Sequence, residues 1–178
     1  MSLDGYFTDA SGGMSWVYNN DPEWQTFVEG NARGGGELLF GRVTYDLMVS
    51  YWPTPSAIQS LPVVAERMNN LPKVVFSRTM DKAAWNNTRL VKDNIVEEVR
   101  NMKRQSGVDM AILGSGSIVS QLTQEKLIDE YQFAMIPVIL GRGRTMFEGV
   151  KNALRMELTR SRTFRNGNVL LCYKPVKN

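Results

Sequence analysis

Three short runs of continuous apolar residues, Leu38-Leu39-Phe40, Val74-Val75-Phe76 and Ala111-Ile112-Leu113, constrain this chain's fold more than any other feature. A strand that is apolar on both faces needs cover on both faces, and a parallel sheet flanked by helices provides it. Segments with helical apolar spacing separate the runs. Strand and helix in alternation predict an α/β domain with a largely parallel sheet.

Strands are expected at residues 37–40, 73–77, 88–91, 110–113 and, longest of all, 128–139. Residues 1–7 read as the end of a strand that stops at Asp4-Gly5, and residues 11–20 read as a loop. Asp21-Pro22-Glu23 starts a helix, with an N-cap, a first-turn proline and an acid at the positive end. It runs to about Arg33, where Gly34-Gly35-Gly36 stops it. Further helices are expected from Gly41 to about residue 50, over 57–70 with a break at Pro62, over 95–105, and from the Gly-Ser-Gly-Ser turn to about residue 125. Around Arg165-Asn166-Gly167 the pattern changes to an antiparallel hairpin, for which Asn-Gly is a strong signal. The 178 residues, 43% apolar and 22% charged, suit one domain over the whole chain, 1–178.

There is no histidine. That removes Ser-His-Asp and Cys-His catalysis, histidine zinc sites and the usual near-neutral proton shuttle. The single cysteine, Cys172, lies in an apolar run and reads as core, which predicts a reducing, cytoplasmic setting and no metal. Chemistry carried by an organic cofactor gains by this elimination. No apolar stretch has the length of a membrane span, and the N-terminal residues lack a leader pattern. The net charge of +3 is scattered, so nucleic acid is not the expected partner.

Two strand-to-helix junctions carry glycine where a phosphate would sit. One is Phe40-Gly41-Arg42-Val43-Thr44. The other is Leu113-Gly114-Ser115-Gly116-Ser117-Ile118. A helix start offers unpaired N–H groups and a partial positive charge, and glycine admits close approach. Both junctions lie at carboxyl ends of strands, where open α/β sheets bind ligands. Arg42, Thr44, Ser115 and Ser117 add polar donors. Ser77-Arg78, at a third strand end, suits a ribose 2′-phosphate. Each site alone is equally compatible with a tight turn or a solvated arginine.

As an ordered set, these residues resemble a known family. Ser2-Leu3-Asp4-Gly5-Tyr6, Phe40-Gly41-Arg42-Val43-Thr44-Tyr45, Phe76-Ser77-Arg78, Leu113-Gly114-Ser115-Gly116-Ser117 and Pro137-Val138-Ile139-Leu140-Gly141 look like the reductase domain of the bifunctional riboflavin-biosynthesis deaminase/reductase. They resemble even more its stand-alone, dihydrofolate-reductase-like relatives. The resemblance implies a three-layer αβα fold of the dihydrofolate-reductase type, NADPH as hydride donor and a homodimer. It places Gly41, Arg42 and Thr44, with the 114–117 turn, on the cofactor phosphates, and Ser77 and Arg78 near the adenosine ribose. The implied substrate is a small heterocycle, like 5-amino-6-(5-phosphoribosylamino)uracil or a pterin. The family's first strand begins several residues before Met1, so either the true start lies upstream or the nicotinamide pocket is altered at its edge. The deaminase part, with its zinc ligands, is missing.

Reduction of a carbon–nitrogen double bond needs a proton at nitrogen, and without histidine a carboxyl or a water supplies it. Asp4 is the first candidate, since the family's Leu-Asp-Gly strand end points into the same crevice. Glu23, four residues before Phe27 as in dihydrofolate reductases, is the second. Either is also what turn chemistry or a helix start would select. Trp16, Trp24, Phe27, Met48 and Trp52 are candidates for the walls of a pocket for a flat ring, or plain core. Arg142, Arg144 and the arginines of 160–165 are surface charges or contacts for a substrate phosphate. The competing function is a non-catalytic NADP- or nucleotide-binding protein of the same fold.

Overall fold

The computed structural model describes residues 1–17, 21–34, 36–105 and 107–176. Gly35 of the glycine stop and residues 18–20 of the expected loop lie outside the described residues. In chain order the elements are β1 (Tyr6–Asp9), α1 (Pro22–Arg33), β2 (Glu37–Gly41), α2 (Arg42–Tyr51), α3 (Pro55–Ser60), α4 (Pro62–Asn70), β3 (Lys73–Phe76), β4 (Thr88–Val91), α5 (Ile95–Gln105), β5 (Met110–Ile112), α6 (Gly116–Gln124), β6 (Tyr131–Met135), β7 (Gly143–Thr145), β8 (Met156–Thr163) and β9 (Val169–Pro175). The backbone gathers into two compact units, residues 26–118 and residues 1–25 with 119–178. None of the described helices is long and apolar enough to cross a membrane.

Residues 26–118 hold the parallel sheet, in the order β4-β3-β2-β5. Its two central strands are the runs that are apolar on both faces, and all of β3 and most of β2 are buried. Leu38, Phe40, Val75, Tyr45, Val64, Met68 and Trp85 form the core. The Tyr45 hydroxyl accepts the Trp85 amide at 2.9 Å. The break expected at Pro62 occurs at Leu61, whose ψ of 65° leaves the helix before proline restarts it.

The first residue of β3 breaks the apolar pattern. Lys73 is only 1% exposed. Its ammonium donates to the carbonyls of Met68 at 3.0 Å, Asn69 at 3.1 Å and Leu71 at 2.7 Å, and lies 4.6 Å from the centre of the Trp85 ring. Two of those carbonyls belong to the last turn of α4, which has no partners of its own for them. A cation there also meets the negative end of the helix.

Residues 1–25 and 119–178 hold the antiparallel strands, ordered β6-β9-β8, and the pair β1-β7. Residues 1–3 run beside 134–138, with Met1 O accepting from Ile136 and Leu3 N–H donating to Val138, both at 2.8 Å. The strand expected over 128–139, ending at Pro137 or shortly after, runs only from Tyr131 to Met135; Pro137 has no N–H, and Val138 turns its own back to Ile136 O. The strand expected to end at Asp4-Gly5 does turn there, but the chain resumes as β1 against β7. The expected hairpin is β8-β9, connected through 164–168, where Gly167 takes a φ of 86°.

Candidate functional site

The sequence-predicted cofactor residues all fall in residues 26–118, on one edge of the parallel sheet. Gly41, Ser77 and Gly114 lie at the carboxyl ends of β2, β3 and β5, which are neighbours in the sheet. Three adjacent strand ends span roughly 10 Å. Gly41 has an extended backbone and gives α2 no side-chain cap, so the first amides of that helix are left for another partner. A Cβ on Gly41 would approach Ile118 Cγ1 to 3.2 Å, so bulk is excluded there.

The two glycine junctions are hydrogen-bonded to each other. Ser115 Oγ accepts the Gly41 amide at 3.0 Å and donates to Leu113 O at 3.2 Å. The Ser115 amide in turn donates to Thr44 Oγ1 at 3.1 Å. Gly114 and Ser115 both take left-handed φ, 58° and 54°. Of the amides in this turn, Thr44 takes that of Ser115. Ser115 is therefore buried and fully used, a brace more than a contact, while Thr44 keeps its hydroxyl proton. Gly116 and Ser117 open α6, with the Ser117 side chain exposed. Ile118 is buried and its amide is spent on Ser115 O at 2.8 Å, which leaves it a packing role.

Ser77 Oγ accepts from the amides of Thr79 and Met80, at 3.2 and 3.1 Å, and so shapes the turn that presents Arg78. Arg78 is exposed and forms no ion pair among the described residues. Arg42 is instead paired with Asp46 at 3.1 Å, one turn along α2. An anion at this edge would thus find free helix amides, the 114–117 turn and Arg78.

The two proposed acids lie in residues 1–25 and are both committed. Asp4 accepts from the amides of Leu140 at 3.2 Å and Gly141 at 2.7 Å. The Ser2 hydroxyl, with those amides, holds its carboxyl below the usual value. Glu23 accepts from Arg162 at 2.9 Å and from the Arg165 amide at 3.2 Å, and these hold it low as well, Arg162 foremost. Both are thus carboxylates that resist protonation. Glu23 ties the first turn of α1 to the β8-β9 hairpin, where the Arg162 guanidinium also lies 4.5 Å from the Phe164 ring and Phe164 meets Trp24 edge-on.

A carboxylate with a lowered folded value stabilises fully above its unfolded value, near 4.5 for Glu23, and loses that contribution as the pH falls through the folded value. Glu23→Gln is therefore expected to flatten the acid limb of the stability profile. Urea melts of both proteins across the acid range measure this, and parallel profiles would contradict it.

Of the expected pocket walls, Met48 and Trp52 are brought together, with the indole N–H on Met48 Sδ at 3.1 Å, but both pack on the core of the parallel sheet. They are core more than open wall, because residues four apart on α2 share its inner face. Phe27 is half-buried in the same unit, and Trp16 lies in a short 3₁₀ turn in residues 1–25. A cavity of about 450 Å³ within residues 119–178, bordered by Tyr131, Phe133, Phe147 and Tyr173, was not foreseen. Tyr131 and Phe133 sit two apart on β6, a period-2 signal that sequence reading can find, and Tyr173 of β9 pairs with Tyr131.

The chain is similar to known proteins over most of its length. The family model described as the RibD C-terminal domain matches residues 1–170. The uncharacterized protein YyaP of Bacillus subtilis is 28% identical over 174 residues, 97% of this chain and 90% of that protein. The diaminohydroxyphosphoribosylaminopyrimidine deaminase/5-amino-6-(5-phosphoribosylamino)uracil reductase of Thermotoga maritima superposes with a TM-score of 0.69 at 16% identity, over 99% of this chain and 54% of that one. Dihydrofolate reductase from Enterococcus faecalis, complexed with NADP(H) and RAB-propyl, superposes with a TM-score of 0.65 at 14% identity, over 99% and 93%. The fold is α/β and dihydrofolate-reductase-like.

Proposed function

The chain belongs to the RibD C-terminal domain family, and from that premise we propose that it is a cytoplasmic, NADPH-dependent reductase of a small nitrogen heterocycle. The observation that carries this reading is the interlock at the sheet edge. Ser115 holds the β2 and β5 junctions together through Gly41, and Thr44 holds Ser115. The two junctions are thereby fixed beside one another, with Arg78 just past the next strand end. Preorganised amides of this kind suit a pyrophosphate, and a free arginine suits a third phosphate. Bound NADPH would supply the hydride.

The chain's own part is to hold the phosphates, through the amides of 42–44, 114, 116 and 117 and the Arg78 guanidinium. Asp4 and Glu23 anchor backbone, and the proton for the substrate nitrogen comes by way of water. The test is the loss of NADPH absorbance on mixing with a panel of pyrimidine and pterin rings. Oxidation with one ring class, absent in Gly114→Val, is the expected result.

A second reading, cofactor binding without turnover, is favoured by one observation, the commitment of both carboxylates. It gains if NADPH binds and no ring in the panel oxidises it.

A further inference from the structure

We infer that the cavity in residues 119–178 is a binding site for a flat aromatic carboxylate. Its residues are none of those proposed to hold NADPH, so the inference stands apart from that reading.

The walls follow from the strand pattern. Tyr131 and Phe133 lie on one face of β6, and Tyr173 of β9 pairs with Tyr131 and so shares that face. Phe147, from the segment between β7 and β8, closes on them, its ring centre 6.1 Å from that of Tyr131 and 6.0 Å from that of Phe133. The Tyr173 ring stands 6.2 Å from Phe133. Rings at this spacing touch, so each is held by its neighbours and the walls are formed before anything binds. Between them and residues 150–154 lies a cavity of about 450 Å³. Packed side chains leave few voids larger than a water molecule, whereas small-molecule sites run to about 300–1,000 Å³.

The polar groups sit at two depths. Inside, the Tyr131 and Thr123 hydroxyls share a hydrogen bond of 2.9 Å, and both residues are buried. Whichever donates, one hydroxyl proton is left for an acceptor. Burial raises the Tyr131 hydroxyl above its ordinary value, so it stays protonated. Lys151 and Asn152 border the cavity from exposed positions, which form its mouth. Lys151 is in no ion pair among the described residues, and no acid borders the cavity.

Shape and charge together select the ligand. The walls take the faces of a ring by stacking. The exposed ammonium takes one carboxylate at the mouth, where that group keeps part of its water. The hydroxyl proton inside suits an oxygen on the far side of the ring. A cation is repelled by Lys151, and rings in mutual contact leave no gap in which to surround one.

The test is calorimetry on the whole protein without nucleotide, with three probes of one size: 2-naphthoate, 2-naphthamide and 2-naphthylmethylammonium. The carboxylate is expected to bind saturably, about threefold tighter than the amide, the worth of one exposed ion pair, and the cation most weakly. Lys151→Met should bring carboxylate and amide together, and Lys151→Arg should keep them apart. Ala153 is exposed on the cavity border, so Ala153→Trp should block the mouth and weaken naphthoate at least about tenfold with the melting temperature unchanged. No saturable binding of naphthoate, an amide or cation that binds as tightly, or binding indifferent to both Ala153→Trp and Lys151→Met each overturn the inference. If Ala153→Trp changes the mass in sedimentation and naphthoate does not bind, a second copy covers the cavity and the inference falls. None of these outcomes bears on the cofactor reading, which NADPH binding tests separately.

Discussion

Replacing Lys73 with methionine is expected to lower stability by about 3 kcal/mol, the usual cost of stripping a buried, satisfied charge from its partners. Methionine fills the space of the lysine stem, so the loss isolates the ammonium. Three carbonyls, the buried one of Met68 and the partly buried ones of Asn69 and Leu71, lose their donor, and the Trp85 ring loses its cation. For a chain of this size that is a melting temperature lower by roughly 6–12 °C. The same residue sets a pH dependence of its own. Burial pulls the ammonium down to about 8, from 10.5 in water. Between those values the unfolded chain carries a proton that the folded chain has released, so unfolding takes up a proton and stability rises with pH. Chemical denaturation over this range should show the rise in the natural sequence and not in Lys73→Met. Identical profiles, or a variant as stable as the parent, would contradict the account.

The second large effect is expected at Ser115. Valine there removes the acceptor of the buried Gly41 amide and the donor to Leu113 O, and it forces a β-branched side chain into φ of 54°. An orphaned buried amide costs about 1–3 kcal/mol and the left-handed backbone about 1–2 more. Ser115→Val should therefore lose about 3 kcal/mol of stability, read by urea unfolding, and bind NADPH at least about tenfold more weakly. Ser115→Gly relieves the backbone strain but still lacks the hydroxyl, so it should recover part of the stability and little of the affinity. Full recovery of binding by glycine would mean that the hydroxyl brace does not shape the site.

The parallel sheet and its glycine junctions were legible because their signals are local. A run such as Val74-Val75-Phe76 can only be a covered strand, and Gly41 and Gly114 stand where the strand pattern gives way to the helical one. What escaped depends on partners far away in sequence. Gly143-Arg144-Thr145 has no apolar alternation, and its pairing with β1 rests on an approach so close that a Cβ on Gly143 would stand 2.1 Å from Thr8 O. Lys73 looks like an ordinary polar strand end until α4 is seen to finish above it. Ser115 looks like a phosphate contact until β5 is seen beside β2. Asp4 and Glu23 look like free acids until residues 140–141 and 162–165 close on them. In the sequence their chemistry is right and their availability is invisible.

The central claim is that this sheet edge holds NADPH through its two turns and Arg78. A calorimetric titration of the purified protein with NADPH and with NADH, repeated on Arg78→Ala, tests it most directly. The account predicts that NADPH binds about tenfold tighter than NADH, the worth of one charge-assisted phosphate contact, and that Arg78→Ala brings the two affinities together. Absence of NADPH binding, or a preference for NADPH that survives Arg78→Ala undiminished, would contradict it.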